Sequence, residues 1–363
     1  MEKEETVALL GLNAVPGLGP GRLNKLLAQF ASARAVANSC PSCLLATAKN
    51  IASWSPAQIL DEGERQWQML IKLGGSLLRS SEPTAPTEFS HLAQIRGGHP
   101  PPVLLLRGNP DCLNAPTLKV AVVGARACTP YGKDQAFRLG AGLAAAGVIV
   151  ISGAARGIDQ AAMQGALSVG GKVVAILGSC LDRPYPPDAR NLLNAIVDAD
   201  GCVTTEFAFF TSPTRGNFPR RNRLIATLSR GTVVVEAGPK SGSMNTVDWA
   251  NQLGREVFAV PGPVNAICSR GPHQLLREGA HFTENVQDVL AQFELAIPRE
   301  YLRPDCPILE LLSCGDHSLD SLAHELGRNP DDLVPELMEL EIEGKLIRLS
   351  GGYYHRLGPA PIP

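Results

Sequence analysis

The sequence has no excess of charge in either direction. It contains 33 lysines and arginines against 35 aspartates and glutamates, for a formal net charge of −2. The protein as a whole is therefore not polybasic, and any nucleic-acid binding has to come from a local patch. The nine cysteines are scattered and odd in number, which argues against a disulfide framework and for a reducing compartment. Cys40 and Cys43 form one C-x-x-C pair, but no second pair follows at zinc spacing, so we interpret both as ordinary thiols.

Long apolar runs are also missing. The first five residues hold three glutamates and one lysine, which is the wrong charge for the start of a secretory signal, so no such signal is predicted. The longest uncharged stretch, residues 139–155, is rich in glycine and alanine. It is typical of a helix end, a turn and a strand rather than of a membrane span. We therefore expect a soluble, cytoplasmic protein with no membrane contact.

Residues 1–75 are predicted to form a helical domain of the SAM or helix-hairpin-helix kind. Apolar side chains recur at helical spacing on both sides of a glycine-rich turn at residues 16–21. A helix-hairpin-helix has this pattern and meets DNA phosphates with its hairpin amides. A plain αα-hairpin has it too, and we favour that interpretation because the turn carries little basic charge. Residues 76–115 are predicted to be a linker with one short strand at 103–106.

Six apolar runs, rich in valine and isoleucine, recur from residue 118 onward with helical segments between them. They barely alternate with polar residues, as strands buried on both faces do. The pattern predicts an α/β fold over residues 116–297, with an extended Rossmann-like, largely parallel sheet. The runs are residues 119–123, 148–152, 172–177, 202–206, 232–236 and 256–260.

The C-terminal residues 298–363 are predicted to form three helices and then a hairpin of two short strands, the pattern of a winged helix. Segment 331–343, which should be basic if it reads DNA, is acidic instead. We therefore interpret this domain as a protein-interaction or packing module.

The turn after the first run has the features of a phosphate site. Ligands of parallel α/β sheets sit beyond the carboxyl ends of the strands, where this turn lies. Gly124 lets the chain turn tightly, Arg126 adds a guanidinium that fits phosphate, and Thr129 is expected to cap the helix that follows. The spacing is not G-x-G-x-x-G, and the second run ends in Ser152 and Gly153 rather than in an acid that would hold a ribose, so a nicotinamide site is not favoured.

Two further turns repeat this chemistry. Gly153 and Arg156 follow the second run, and Asp159 is expected to cap the next helix. After the fifth run, a lysine and two serines around a glycine stand at a helix start, where backbone amides form a phosphate nest. These residues are Lys240, Ser241, Gly242 and Ser243.

An arginine-rich stretch is the strongest signal. Residues 207–235 hold five arginines and no aspartate or glutamate. Arginines around an aromatic suit a single strand, because the charges track its backbone while the ring stacks a base. A charge run is usually only a solvated face, but this one has no compensating acid in a slightly acidic chain, so we interpret it as a DNA-binding surface. The predicted contacts are Arg215, Phe218, Arg220, Arg221, Asn222 and Arg223.

An alternative is a nucleotide-processing enzyme of the phosphoribohydrolase kind on the same fold. Such enzymes need a Pro-Gly-Gly-x-Gly-Thr loop, and residues 238–243 lack the glycine pair. Glu206 and Glu236 lie at strand ends but have no histidine or metal-ligand companion nearby in sequence. We predict that both are structural, holding loop amides or pairing an arginine. No catalytic residue, cofactor or metal site is predicted.

Together these motifs resemble the DNA-processing protein A family, also called Smf. They occur in the family's order over roughly residues 118–290, and so many together are highly specific. The motifs are Gly124-x-Arg126-x-x-Thr129-x-Tyr131-Gly132, Ser152-Gly153-x-Ala155-x-Gly157-Ile158-Asp159, Tyr185-Pro186, Phe218-Pro219-x-Arg221-Asn222-Arg223, Glu236-Ala237, Ser241-Gly242-Ser243 and Pro261-Gly262.

The resemblance implies a Rossmann-like domain that binds single-stranded DNA without strong sequence preference. It also implies a homodimer formed through that domain, and loading of the recombinase RecA during natural transformation. By motif position, Arg126 is implied to bind a phosphate, and Arg215 and Phe218 to supply a basic contact and a stacking ring. Ser241 and Ser243 are implied to line the same pocket.

The chain departs from the family pattern at three places. Ala125 stands where serine is common, which removes one phosphate hydroxyl. The stretch 161–163 lacks the histidine that commonly follows the Gly-Ile-Asp motif, and residues 244–247 replace the usual apolar residue and Thr-Ala. None of these departures touches the arginine-rich stretch.

Overall fold

The structure, a computed structural model, describes residues 2–30, 32–39, 54–295, 307–342, 345–349 and 351–356. Cys40 and Cys43, interpreted above as ordinary thiols, lie outside these ranges. Within the described ranges, no helix is long and apolar enough to cross a membrane.

Before residue 73 the described chain is helical. Helices α1 (Glu2–Ala14) and α4 (Pro56–Lys72) cross with their backbones in contact. Glycine permits this approach, because a Cβ at Gly11 would have no room beside Ile59 and one at Gly63 would have none beside Val7. Their buried side chains belong to the same apolar cluster as those of the central sheet. The helices are α1 (Glu2–Ala14), α2 (Pro20–Phe30), α3 (Ala33–Ser39) and α4 (Pro56–Lys72).

Nine strands of the described chain form one sheet, in the order β1-β2-β6-β5-β4-β3-β7-β8-β9. The strands are β1 (Ser76–Arg79), β2 (Val103–Gly108), β3 (Lys119–Val123), β4 (Ile149–Ser152), β5 (Val173–Ile176), β6 (Cys202–Thr205), β7 (Gly231–Val234), β8 (Glu256–Ala259) and β9 (His281–Phe282). Strands β3 to β9 are parallel, and all six predicted strands are confirmed as β3 to β8. The prediction of a mixed α/β fold with a largely parallel sheet is therefore correct.

Residues 76–115 contain the short strand predicted at 103–106, but they belong to the sheet rather than to a linker. They contribute β1 and β2, and β2 pairs antiparallel with β6, so both strands extend the main sheet. Residues 103–106 are fully buried, as expected of a strand covered on both faces. The proline run just before this strand resembles a linker in sequence, but it only leads the chain into the sheet.

Helices cover both faces of the sheet. Alternate residues of β3 point to opposite sides: Val120 and Val122 belong to one apolar cluster, and Ala121 and Val123 to the other. The helices are α5 (Glu88–Gln94), α6 (Asp111–Asn114), α7 (Pro130–Ala145), α8 (Ile158–Ser168), α9 (Arg190–Asp198), α10 (Asn217–Leu228), α11 (Gly242–Gln252), α12 (Arg270–Arg277) and α13 (Val286–Ala291), with short 3₁₀ turns at Pro187–Ala189 and Ile267–Ser269.

The C-terminal residues form a unit with its own apolar core, which includes Leu322, Leu337 and Tyr354. Its three short strands pair antiparallel in the order β10-β12-β11. The elements are α14 (Pro307–Cys314), β10 (His317–Ser318), α15 (Leu319–Leu326), α16 (Pro330–Ile342), β11 (Leu346–Arg348) and β12 (Tyr353–Arg356).

The order of the main sheet reverses direction between β3 and β7. From β3 the chain builds β4, β5 and β6 to one side, whereas β8 and β9 follow β7 on the other side. Such a switch point leaves a crevice at the carboxyl ends of the two strands. The turn there is tight, since a Cβ at Gly124 would lie 2.6 Å from Cγ1 of Ile158 and 2.8 Å from the carbonyl oxygen of Glu236.

Candidate functional site

A cavity of about 780 Å³ lies at this switch point. Its walls are the turn after β3, the start of α10 and the start of α11. A smaller cavity of about 260 Å³ has Arg126, Phe218 and Arg221 in its wall as well, and reaches Gly153 and Arg156. The predicted contacts that line the larger cavity are Gly124, Arg126, Arg215, Phe218, Arg221, Asn222, Ser241, Gly242 and Ser243.

Arg126 lies at one end of a row of three side chains, with the Phe218 ring in the middle and Tyr185 at the other end. Its Cζ atom is 4.7 Å from the centroid of the Phe218 ring, and the Tyr185 ring is 5.7 Å from Phe218 on centroids. Arg126 is exposed and has no carboxylate within ion-pair distance among the described residues. Tyr185 is 41% exposed and lines both cavities, although it is not among the predicted contacts. Its one sequence signal is the Tyr-Pro pair among the family motifs.

The start of α11 presents a helix N-terminus to the cavity. Ser241 is the N-cap: its Oγ accepts a hydrogen bond from the amide of Ser243 at 3.4 Å and lies 2.8 Å from the Ser243 hydroxyl. Asn222 holds this turn by donating from Nδ2 to the carbonyl oxygen of Gly242 at 3.0 Å. Lys240 is exposed beside the turn but does not line either cavity. The amide end of the helix therefore adds positive potential opposite Arg126.

Arg221 is buried beneath the cavity. Its guanidinium donates to the carbonyl oxygens of Gly153, at 2.7 Å, and of Ile176, so it joins the ends of β4 and β5. The same guanidinium occupies the space that a Cβ at Gly153 would need. Burial lowers the pKa of Arg221 to about 10, partly opposed by the charge of Asp159, so the group stays protonated at neutral pH.

Asp159 is not the predicted helix cap. The N-cap of α8 is Gly157, and the Asp159 carboxylate instead accepts hydrogen bonds from the amides of Gly153, at 3.1 Å, and Ala155, at 3.3 Å. Burial raises the pKa of Asp159, and the nearby charge of Arg221 acts against that rise. The side chain thus fixes the turn after β4 rather than the helix end.

The arginine-rich stretch does have a compensating acid. Glu206 lies one residue before the acid-free stretch, and its carboxylate binds Arg223 through two hydrogen bonds of 2.6 and 2.7 Å. Arg220 donates to the same carboxylate at 2.9 Å. Burial would raise the pKa of Glu206, but the charges of Arg223 and Arg220 outweigh burial and hold this pKa below its ordinary value of 4.5. Arg220 and Arg223 therefore anchor α10 and do not line the cavity.

Glu236 has a structural role too. Its carboxylate accepts hydrogen bonds from the Thr129 amide at 2.8 Å and the Thr129 hydroxyl at 2.6 Å. Thr129 in turn caps α7 by accepting the Gly132 amide at 3.1 Å, as its position predicts. The structural roles predicted for Glu206 and Glu236 are confirmed.

Two arginines remain at the rim. Arg215 is exposed just before α10 and has no ion pair among the described residues. Arg156 is exposed as well, but its Nε lies 2.9 Å from Oδ2 of Asp188, which is also exposed. Open cations, a half-buried and an exposed aromatic ring, and a helix N-terminus therefore meet in one crevice. Fold and site together define a doubly wound α/β protein with an electropositive, aromatic-lined crevice at its switch point.

Comparison with known proteins gives the family. The model of the DNA recombination-mediator protein A family matches residues 77–294, and the chain belongs to this family. The matched stretch begins within β1, so it includes both strands of the segment predicted as a linker.

Individual relatives agree with this assignment. Protein Smf of Escherichia coli is 35% identical over 268 residues, which are 70% of this chain and 71% of the relative. The crystal structure of DNA processing protein A from Streptococcus pneumoniae is similar with a TM-score of 0.61 and 32% identity, over 77% of this chain and 95% of that one. A structure of DNA processing protein A from Helicobacter pylori, described for its single-stranded-DNA binding mode, has a TM-score of 0.53 and 31% identity, over 60% and 95% of the two chains.

Replacing Glu206 by glutamine is expected to lower the free energy of unfolding by about 3–5 kcal/mol at pH 7, because two guanidiniums lose their buried counter-charge. The folded-state pKa of Glu206 is depressed, so the stabilisation is present above pH 4.5 and is lost as the pH falls through the folded-state value. Urea unfolding of wild type and Glu206→Gln at several pH values should show the difference shrinking below pH 4.5.

Asp188→Asn is the matched control, since it removes a carboxylate from a fully exposed pair with Arg156. We expect no measurable change in its unfolding midpoint. Equal stability of Glu206→Gln and wild type at pH 7 would show that the carboxylate does not anchor α10.

Proposed function

We propose that this protein binds single-stranded DNA in the crevice at the switch point, with little preference for sequence. The observation that carries this proposal is the uncompensated guanidinium of Arg126, stacked on Phe218 beside the exposed ring of Tyr185. A positive charge and aromatic rings that line one cavity match what a single strand offers, a phosphate backbone and unpaired bases. The single-stranded-DNA binding mode described for the Helicobacter pylori relative supports it.

In this proposal the predicted contacts, with Tyr185 added, have four roles. Arg126, Arg215 and the amide end at Ser241, Gly242 and Ser243 meet phosphates, while Phe218 and Tyr185 stack with bases. Lys240 and Arg156 add charge at the rim. The remaining residues shape the crevice from behind, without touching the strand. These are Gly124, Thr129, Gly153, Arg220, Arg221, Asn222 and Arg223.

Arg126→Ala should weaken binding of every sequence alike and flatten its salt dependence. Each neutralised phosphate contributes about 0.7 to the slope of log affinity against log salt, so the variant should lose about 0.7 of slope. Phe218→Ala should cost about 1–3 kcal/mol for the lost stacking and leave the slope unchanged. Fluorescence anisotropy with a labelled oligo-dT over a series of salt concentrations measures both.

Arg230→Ala is the matched control. Arg230 is also an exposed arginine, but it precedes β7 and so lies at the opposite end of that strand from the crevice. Its loss should leave affinity nearly unchanged. Tight binding that ignores salt, or equal losses for Arg126→Ala and Arg230→Ala, would contradict the proposal.

We propose no catalytic role for the crevice. Its neighbouring strand-end carboxylates, Glu206 and Glu236, are engaged with arginines and with Thr129. The alternative, a nucleotide-processing enzyme, is distinguished by incubating the protein with nucleoside monophosphates and assaying for released base. Base release that is lost in Glu236→Gln would favour the enzyme.

We propose that the chain forms a homodimer through the sheet domain. Three apolar side chains are exposed on the loop after β8 and on β9, at the edge of the sheet: Val264 (88%), Ile267 (68%) and Phe282 (54%). Exposed apolar residues grouped in this way are typical of a protein interface, and a sheet edge leaves backbone groups unpaired.

Sedimentation velocity tests the dimer. Wild type should sediment as a dimer, and Val264→Glu with Ile267→Glu as a monomer, because the contact would bury two unpaired carboxylates. Both positions are exposed, so the fold should survive. Ile71→Glu, at a 53% exposed isoleucine on α4, is the control and should remain dimeric. A doubly substituted protein that is still dimeric would place the interface elsewhere.

We propose that the protein acts in the cytoplasm as a mediator that loads RecA onto single strands during natural transformation, as its family resemblance implies. Such a mediator must hold the strand that RecA receives. The lag in RecA ATP hydrolysis on a strand coated with single-strand-binding protein should therefore shorten with wild type and with Arg230→Ala. The lag should not shorten with Arg126→Ala. If this variant shortens the lag as much as wild type does, RecA loading does not depend on DNA binding in the crevice.

The domain organisation completes the proposal. We assign residues 1–75 to a helical domain, residues 116–297 with the added strands β1 and β2 to a DNA-binding domain, and residues 298–363 to a winged-helix domain. The three helices and antiparallel hairpin of the C-terminal unit support the last assignment.

A further inference from the structure

The C-terminal unit exposes a line of apolar side chains on α16. Val334, Met338 and Ile342 are 37%, 58% and 85% exposed. They are spaced four residues apart, so they lie on one side of the helix and form a continuous apolar stripe. Ile347 on β11 and Tyr353 on β12 are also exposed, at 36% and 48%. An apolar surface of this kind marks an interaction site.

The fold of the unit does not use the stripe. The core-facing side of α16 is formed by Leu333, Leu337 and Leu340, which are buried among the unit's other apolar residues. Polar substitutions in the stripe are therefore expected to leave the unit folded.

Charge around the stripe restricts what can bind it. Residues 307–356 hold ten aspartates and glutamates against four lysines and arginines. Helical periodicity places Glu341 on one side of the stripe and Asp332 and Glu339 on the other, and all three are exposed. A DNA backbone would meet like charge here. The same stripe of a second copy would also meet like charge, because a two-fold axis would place the acidic residues of one copy against those of the other.

We propose that the stripe of Val334, Met338 and Ile342 docks a basic amphipathic helix of a partner protein. The apolar side of such a helix covers the stripe, and its lysines or arginines meet Asp332, Glu339 and Glu341. Met338 suits the centre of this surface, because its flexible side chain adapts to different apolar neighbours. The docking surface is separate from the DNA crevice and does not depend on it.

The test uses the full-length protein and three labelled synthetic peptides, followed by fluorescence anisotropy. One peptide has leucines at helical spacing with lysines elsewhere, the second has glutamates in place of the lysines, and the third has the first one's composition in an order without an apolar face. We expect only the first to bind. Met338→Gln with Ile342→Gln should weaken it about tenfold, while oligo-dT affinity and the melting temperature stay unchanged.

The control is Ile71→Gln on α4, where a 53% exposed isoleucine is replaced, and it should bind the lysine peptide like wild type. Equal binding by the doubly substituted protein, or by the third peptide, would overturn the proposal. If the double substitution instead converts a dimer to a monomer, the stripe contacts a second copy and the proposal is wrong. Loss of affinity for a DNA duplex would likewise show that the unit binds DNA.

Discussion

The buried contact between Glu206 and two arginines is the interaction on which the crevice depends. A carboxylate at the end of β6 holds Arg223 in two hydrogen bonds and Arg220 in a third, and so fixes the first turns of α10 against the sheet. Arg223 also donates to the carbonyl oxygen of His99 at 3.1 Å, which ties in the segment leading to β2. Phe218 stands in the same first turn of α10. The position of its ring is therefore set by charges that never face the cavity.

The arginines in and around the crevice have two different roles. Arg221 and Arg223 are buried and hydrogen-bonded to the protein, where an unpaired charge would be costly. Arg126 and Arg215 keep their guanidiniums open to solvent. All four residues are arginines, so the two pairs differ in whether the guanidinium is buried or open to solvent. The arginines of one stretch of sequence therefore include some that hold the fold together and others that form its surface.

Much of the fold was accessible from the sequence. Buried parallel strands are nearly continuous runs of valine and isoleucine, so β3 to β8 stood out, and the glycine turns at their ends indicated where the crevice lies. The short strand predicted at 103–106 is β2, but β1 and the pairing of β2 with the main sheet were missed, because the prolines at 100–102 precede β2 and its partner, β6, is nearly a hundred residues away. A structural role for Glu206 was predicted, but the two arginines that it pairs, and the place of Tyr185, depend on tertiary contacts, which no local pattern contains. The helix cap expected of Asp159 failed for a local reason: the amides of Gly153 and Ala155, in the preceding turn, compete for the same carboxylate.

The turn that carries Arg126 is held at both ends before any partner arrives. Glu236 fixes Thr129 at its far end, Gly124 packs against Ile158 at its start, and the guanidinium already rests on the Phe218 ring. Little conformational freedom is left to lose there. Ordering a long side chain on association costs about 0.5–1.5 kcal/mol, and a side chain that is already ordered avoids much of this cost. A preorganised crevice of this kind can bind a flexible polymer through few contacts, because most of the entropy cost of ordering arises in the polymer and little in the protein.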